Sequence, residues 1–323
     1  MKSTFRNLLA LCIAFGMIAG ASQPASAATT KKKVVASKKV SSKPVTKKAQ
    51  KPTKAVARHA AFDNDDGAGT IDNIKSAAVA VFDQSTGDVL YEKNASAVVP
   101  IASITKLMTA MVALDVQPSL TETLTIGDAD VDTIKGTHSR LSVGTQLSRE
   151  EMLRLALMSS ENRAASALSR HYPGGRDAFV AAMNAKAKML GLTETHFADP
   201  TGLTPENVSS ARDLVKMVNA AHQYPLIREF STSEEYQVAV RGRPQMFRNT
   251  NALVRNDGWN IGLSKTGYIS EAGKCLVMQA WLDNKPTIIV LLDSWGKLTR
   301  IGDANRIKRW IESLASSRPT FRS

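Results

Sequence analysis

Acidic side chains are absent from the first 60 residues of this 323-residue chain, although Lys and Arg occur there 13 times. The whole chain holds 42 Lys and Arg against 29 Asp and Glu, so residues 61–323 carry 29 of each and are neutral. The net charge of +13 belongs to the N-terminal segment. A strongly basic protein suggests nucleic acid or an anionic surface as partner; here that suggestion applies to a tail, and no nucleic acid partner is expected for the body. Cysteine is scarce too, with only Cys12 and Cys275. If Cys12 leaves with a signal peptide, no intramolecular disulfide can form. Cys275 lies in the apolar run CLVMQAWL, where a buried and inert thiol is expected. His138, His171, His196 and His222 are far apart and no His-x-x-x-His exists, which argues against a zinc peptidase. Gly-x-Ser-x-Gly is missing as well, which argues against a conventional Ser-His-Asp hydrolase. The apolar stretch Leu8 to Ala21 is too short for a comfortable membrane span.

That stretch fits a secretory signal peptide over residues 1–27. Lys2 and Arg6 precede it, and Ala25-Ser26-Ala27 supplies the small-residue cleavage site. Residues 28–60 hold ten Lys and one Arg without an aromatic, too little apolar surface to offset ordering entropy. We expect a basic disordered linker over 28–70, with attachment to an anionic envelope surface as its functional reading.

The body begins near Ile71. SAAVAVFD and VLYEKNA, joined by QSTGD, predict a strand pair. The stretch PIASITKLMTA predicts a helix, its apolar Ile101, Ile104, Leu107, Met108 and Met111 at three-four spacing. LSREEMLRLALM opens with a capping box, Ser148 and Glu151. Helices are also expected in NRAASALSRHYPGG, DAFVAAMNAKAKMLG (ending at Gly191) and SSARDLVKMVNAAHQYP. GLSKTGYI, KCLVMQAWL and KPTIIVLLDS predict three strands, the last two around a tight Asp-Asn turn. IGDANRIKRWIESLA closes the sequence as an amphipathic helix with Ile307, Trp310, Ile311 and Leu314 on one face, suited to a sheet or a membrane. Strands from both ends and helices from the middle argue for a sheet assembled from both termini around a helical insertion.

Lys106 follows Ser103 by three residues, so the two side chains share a helix face. A serine hydroxyl is a weak nucleophile until a base takes its proton. Lysine serves as that base only when burial or a second cation lowers its pKa, and the apolar neighbours supply burial. Ser294 and Lys297 make a second Ser-x-x-Lys, but SWGK contains a glycine and opens no apolar helix, so an exposed loop is expected there. Ser160-Glu161-Asn162 stands at a break between two helices; its hydroxyl can relay a proton and its amide can bind a carbonyl or the lysine, and a plain helix cap would also use these residues. Lys265-Thr266-Gly267 lies on a predicted strand, where Gly267 permits close approach, Lys265 supplies charge and Thr266 a hydroxyl for an anion.

Ser-x-x-Lys, Ser-x-Asn and Lys-Thr-Gly in this order are the motif set of penicillin-binding proteins and class A β-lactamases. With THSRLSVGTQLSREEMLRLALMSSENRAASAL, THFADPTGLTPENVSSARDL and NTNALV, the chain from about Ile71 resembles the low-molecular-mass penicillin-binding proteins of the D-alanyl-D-alanine carboxypeptidase/endopeptidase family. GTHSRL and MSSENRAA look most like the D-alanyl-D-alanine endopeptidase branch, of penicillin-binding protein 7 type. The resemblance implies an α/β (α+β) fold, β-lactamase/transpeptidase-like, with a five-stranded antiparallel sheet flanked by helices and an inserted helical subdomain carrying Ser160. The peptidase domain is expected over 71–323; the family often carries an extra C-terminal domain with a membrane-anchoring helix, and neither is expected here because the last predicted helix is soon followed by the end of the sequence.

It also implies a serine D,D-peptidase acting on peptidoglycan peptide stems through an acyl-enzyme. β-Lactams would be covalent inhibitors, and no metal or cofactor would be needed. Ser103 would be the acylated nucleophile and Lys106 its base. Ser160 would relay a proton towards the leaving amine, and Asn162 would contact substrate and Lys106. Lys265 would set the local charge and Thr266 would bind the substrate carboxylate. The backbone N–H groups of Ser103 and Tyr268 would form the oxyanion hole. Cross-link cleavage is expected first, carboxypeptidase action second. A β-lactamase would need a Glu-x-x-x-Asn pattern, which FADPTGLTPEN does not contain; a non-catalytic wall-binding protein would be expected to lack part of the motif set. The location implied is the periplasm, with cleavage after Ala27.

Overall fold

The computed structural model describes residues 71–316 apart from Asp72 and Lys297. The expected signal peptide and basic linker lie outside the described residues.

The chain enters through β1 (Ala78–Asp83) and β2 (Val89–Lys93), the hairpin expected from their sequences. β3 (Val99–Pro100) leads into one 3-10 turn, Ala102–Thr105, and then α1 (Lys106–Asp115). β4 (Thr123–Thr125) pairs with β5 (Gln146–Ser148). α2 (Arg149–Met158) starts on the expected capping box: Glu151 N donates to Ser148 Oγ, and Ser148 N to Glu151 Oε2 at 2.7 Å. α3 (Asn162–Arg170) and α4 (Gly175–Met189) follow, with Gly191 at φ 66° just past the end of α4. β6 (Val208–Ser209) pairs back to β3, and α5 (Ala211–Ala221) and α6 (Pro225–Thr232) complete the helical region. β7 (Glu235–Val240) and β8 (Arg243–Arg248) form a hairpin that the sequence reading did not pick out, turning through Arg241 and Gly242 at positive φ. β9 (Asn260–Ile269), β10 (Gly273–Leu282) and β11 (Lys285–Ser294) are the three expected strands, and α7 (Thr299–Ser316) packs behind them.

The main sheet has the order β2-β1-β11-β10-β9, every neighbour antiparallel, which joins both ends of the described chain in one layer. Asp283 and Asn284 turn between β10 and β11 with φ of 49° and 60°, a turn whose twist suits a two-residue hairpin. The inner strands are buried on both faces, so they read as near-continuous apolar runs. One face meets the helical region through Ala78, Ala80, Val277 and Val290. The other meets α7 through Val79, Val81, Leu276 and Leu291.

Ile307 and Ile311 of α7 are buried in that second layer and Trp310 packs against it, whereas Leu314 is exposed. The amphipathic face therefore belongs to the sheet and not to a membrane. Among the described residues no helix is long and apolar enough to cross a bilayer. Ser294 departs from the exposed loop expected for it: it is buried at the end of β11, its Oγ 2.6 Å from Ser76 Oγ. It is extended strand, so no serine-lysine pair on a helix face arises there; Lys297 lies outside the described residues.

β9 is an edge strand, with one hydrogen-bonding side not taken by the sheet. The 3-10 turn carrying Ser103 packs against that strand. An edge strand beside a reactive side chain offers an extended peptide a place to pair.

Candidate active site

Ser103 is the one residue between Ile101 and Ala113 that is not buried. Ala102 before it sits at φ 48°, a backbone conformation that costs a non-glycine residue about 1–2 kcal/mol. The surroundings hold it there. Ile101 N donates to Asn207 O at 3.0 Å, and Gly202 presses on the turn so closely that a Cβ at that position would lie 2.0 Å from Ala102 O. Gly267 on β9 approaches from the other side, where a Cβ would lie 2.8 Å from Ile101 O and 3.1 Å from Ser103 N. The close approach expected of Gly267 is thus made to the serine's own backbone.

The expected helix begins as a 3-10 turn, and α1 proper starts only at Lys106. Residues i and i+3 eclipse in a 3-10 turn, so the change brings Ser103 and Lys106 into register. Lys106 Nζ lies 2.8 Å from Ser103 Oγ, 2.7 Å from Asn162 Oδ1 and 2.6 Å from Thr201 O. The side chain has no solvent exposure. Burial lowers its pKa to about 7, against the opposing pull of the Asp199 and Glu161 carboxylates. Asn162 Oδ1 and Thr201 O can only accept. In the neutral amine they take its two hydrogens, and the lone pair is left facing Ser103 Oγ–H.

The Thr201 carbonyl is positioned by a self-bonded loop. Asp199 accepts from Thr201 Oγ1 at 2.7 Å, Gly202 N at 2.7 Å and Thr204 N at 2.9 Å. Asn207 braces the loop onto the 3-10 turn, donating to Thr105 Oγ1 and to Asp199 O, both at 2.9 Å. Thr109 Oγ1 donates to Pro200 O at 2.6 Å.

Opposite, Ser160 stands between α2 and α3 at φ 62°, and Glu161, not Ser160, is the α3 N-cap residue. Lys265 Nζ donates to Ser160 Oγ at 2.9 Å and to Thr266 O at 3.0 Å. Lys265 is buried, and desolvation, then the nearby charges of Lys106 and Arg300, push its pKa well below the usual lysine range. Thr266 Oγ1 shares a 2.7 Å hydrogen bond with Thr250 Oγ1. Arg300, on α7, donates to Gly267 O at 3.3 Å. Lys265 and Arg300 thus stand together beside Gly267, where a bound carboxylate would offset their mutual repulsion. Tyr268 follows Gly267 on β9, its ring 61% exposed with Lys274 Nζ 4.4 Å from the centroid.

The residues expected to act together are together: Ser103, Lys106 and Asn162 in one hydrogen-bonded set, Ser160, Lys265 and Thr266 in a second. Sequence reasoning missed Thr201, Asp199, Gly202, Thr250, Arg300 and Thr137, whose Oγ1 accepts from Asn162 Nδ2 at 3.0 Å. FADPTGLTPEN was read as part of a matching stretch and for a missing Glu-x-x-x-Asn, and a backbone carbonyl such as that of Thr201 leaves no mark in a sequence. Thr250 lies in NTNALV, noticed only as a matching stretch. Cys275 is buried, and burial pushes its thiol up to about 12, as an inert cysteine requires. Among the described residues no group of three or more His, Cys, Asp or Glu is arranged to hold a metal.

A family model described as D-alanyl-D-alanine carboxypeptidase matches residues 65–296. A D-alanyl-D-alanine endopeptidase of Pseudomonas aeruginosa is 52% identical over 243 residues, 74% of this chain and 78% of that protein. A D-alanyl-D-alanine endopeptidase of Escherichia coli is 49% identical over 243 residues, with the same shares covered. Among solved structures, the Streptomyces K15 DD-transpeptidase superposes with a TM-score of 0.70 at 28% identity, covering 76% of this chain and all of its own.

Proposed function

This chain belongs to the D-alanyl-D-alanine carboxypeptidase family of serine peptidases, and we propose that within it the protein is an endopeptidase that hydrolyses D-alanyl cross-links of peptidoglycan. The observation that carries the serine acyl-transfer chemistry is the desolvated Lys106, whose lone pair is left to Ser103 Oγ. Ser103 attacks the D-alanyl carbonyl while Lys106 takes its proton. The oxyanion forms beside Gly267, where the backbone N–H groups of Ser103 and Tyr268 are the donors of our reading. Ser160, held by Lys265, passes a proton to the departing amine. Asn162 keeps Lys106 aimed, and Thr266, with Thr250 and the charge of Lys265 behind it, receives the carboxylate of the leaving residue. Water then releases the acyl-enzyme.

The endopeptidase reading rests on the two endopeptidases at 52% and 49% identity. Purified cross-linked muropeptide dimers should become monomers, with free pentapeptides trimmed slowly, when fragments are identified by mass. Rapid D-alanine release from pentapeptides with dimers left intact would make the carboxypeptidase reading the right one. A β-lactamase reading finds no support, because Asp199 turns its carboxylate onto its own loop. β-Lactams are read as covalent inhibitors acting on Ser103. The substrate and residues 1–27 support a periplasmic location, and composition alone supports an anionic envelope surface as the partner of residues 28–60.

With Lys106 near 7, the active base form grows as pH rises. About a tenth of it is neutral one unit below that value and about nine tenths one unit above. Acylation by a chromogenic cephalosporin, followed by stopped flow, should rise about tenfold per pH unit up to about 7 and level off above. A rate independent of pH from 5 to 8 would remove Lys106 as the base.

A further inference from the structure

The segment Asp132–Arg140 runs between the start of α3 and the β9–β10 turn. Asp132 organises it by accepting from the backbone N–H of Ile134 at 2.7 Å, of Lys135 at 3.0 Å and of Thr137 at 2.8 Å. One end is anchored at the catalytic cluster, where Asn162 Nδ2 donates to Thr137 Oγ1 at 3.0 Å. The segment is further fixed by Ser139 Oγ, which donates to Glu161 Oε2 at 2.6 Å, and by Arg140, which lies over the Phe247 ring. From this frame Lys135 reaches the β9–β10 turn. Its Nζ is 2.5 Å from Glu271 Oε1, in the turn between β9 and β10, while Ser270 Oγ holds the other carboxylate oxygen at 2.7 Å. The pair therefore ties the segment that Asn162 holds to the turn that follows β9, three residues beyond Tyr268. Its side chains are 23% and 39% exposed, and ion pairs so placed are weak and exchange easily.

Chain direction says which part of a substrate meets it. On the reading above, the terminal carboxylate sits at Thr266 and the scissile carbonyl at Gly267 and Tyr268. A peptide paired along β9 then runs its earlier residues past Ile269 towards Glu271, at about 3.3 Å per residue. The residue before the scissile D-alanine then lies beside Ile269, and a long side chain there spans the two residues that remain towards Glu271.

We propose that Lys135 is a specificity-determining residue. It leaves Glu271 to pair with a carboxylate on the side chain preceding the scissile D-alanine, and so selects acidic peptide stems. Glu271 is the resident competitor, occupying the ammonium until such a stem arrives. This rests on the D,D-peptidase reading. It adds a charged contact on the acyl side of the bond, distinct from the carboxylate contact at Thr266. Lys274, the other lysine near this end of β9, sits over the Tyr268 ring and serves as a control.

The test uses N-acetyl-X-D-alanyl-thiolactate esters in which X has a long side chain ending in a carboxylate, its amide or an ammonium. Their thiol leaving group reports acylation without depending on the leaving amine. The carboxylate ester should have a kcat/KM about two- to fivefold above the amide, carried by KM, the worth of one partly exposed charge pair. Lys135→Gln should erase that ratio. Glu271→Gln should enlarge it, because the competitor is gone, and Lys274→Gln should leave it unchanged. If Lys135→Gln and Glu271→Gln lower all three esters alike, the pair is a structural tie and the proposal is overturned. Equal wild-type rates on amide and carboxylate overturn it too and leave the D,D-peptidase reading standing. If wild type cleaves none of the esters, that reading itself fails.

Discussion

Ser103→Ala should take up no fluorescent penicillin, and its turnover of D-alanyl substrates should fall on the order of 10^6-fold, the scale of nucleophile deletions in serine peptidases. The substitution removes one hydroxyl from a half-buried position and with it the 2.8 Å contact to Lys106. Loss of that hydrogen bond costs about 1 kcal/mol, too little to unfold the domain, so the melting temperature should move by only a few degrees. No other serine is equivalent. Ser160 Oγ is held by Lys265 Nζ at the α2–α3 break and not on the turn pressed between Gly202 and Gly267, and Ser294 is buried against Ser76. The readout is in-gel fluorescence with peptide mapping. An adduct on Ser160 or Ser294, or undiminished labelling of the variant, would sink the assignment.

Lys106→Arg should lose acylation by about 10^3- to 10^4-fold although the positive charge remains. A guanidinium does not deprotonate near neutral pH, whereas the Lys106 amine does so at about 7. Arginine is also larger than the fully buried space it enters, so a second variant guards against misfolding. Lys106→Met nearly keeps the volume, stays apolar and has no basic lone pair. It leaves Asn162 Oδ1 and Thr201 O without their donor, at roughly 1–3 kcal/mol each, and it removes the unfavourable desolvation of a buried amine, which offsets part of that cost. Lys106→Met should therefore melt as a folded protein and still fail to acylate. Acylation by either variant within tenfold of wild type, about 1.4 kcal/mol in barrier, would reduce Lys106 to a structural role.

Both predictions concern a residue pair visible in the sequence, and the reason is local. Ser103 and Lys106 lie three residues apart, and any helical turn sets them side by side. The same short-range geometry made the Ser148 capping box, the Asp283-Asn284 turn and the strands around Cys275 readable, because each is decided by neighbours in the chain. β7 and β8 escaped notice, although Arg241-Gly242 carries a turn signal, because their alternation is weak: both strands are mostly exposed or half-buried.

The amino-acid sequence determined which groups were available: a serine with a lysine one turn on, a Ser-x-Asn at a helix break, a Lys-Thr-Gly on a strand, and an apolar body able to desolvate them. Tertiary structure alone decided what those groups became. Lys106 meets Asn162 across 56 residues and Thr201 across 95, and Lys265 meets Ser160 across 105. Periodicity records contacts a few residues apart, and it carries no trace of partners so distant. The lowered pKa of Lys106 has the same origin, since it comes from water excluded by many residues at once and from acceptors on two remote segments. Only the folded packing of β9, the Asp199–Asn207 loop and the α2–α3 break around α1 turns an ordinary lysine into a base.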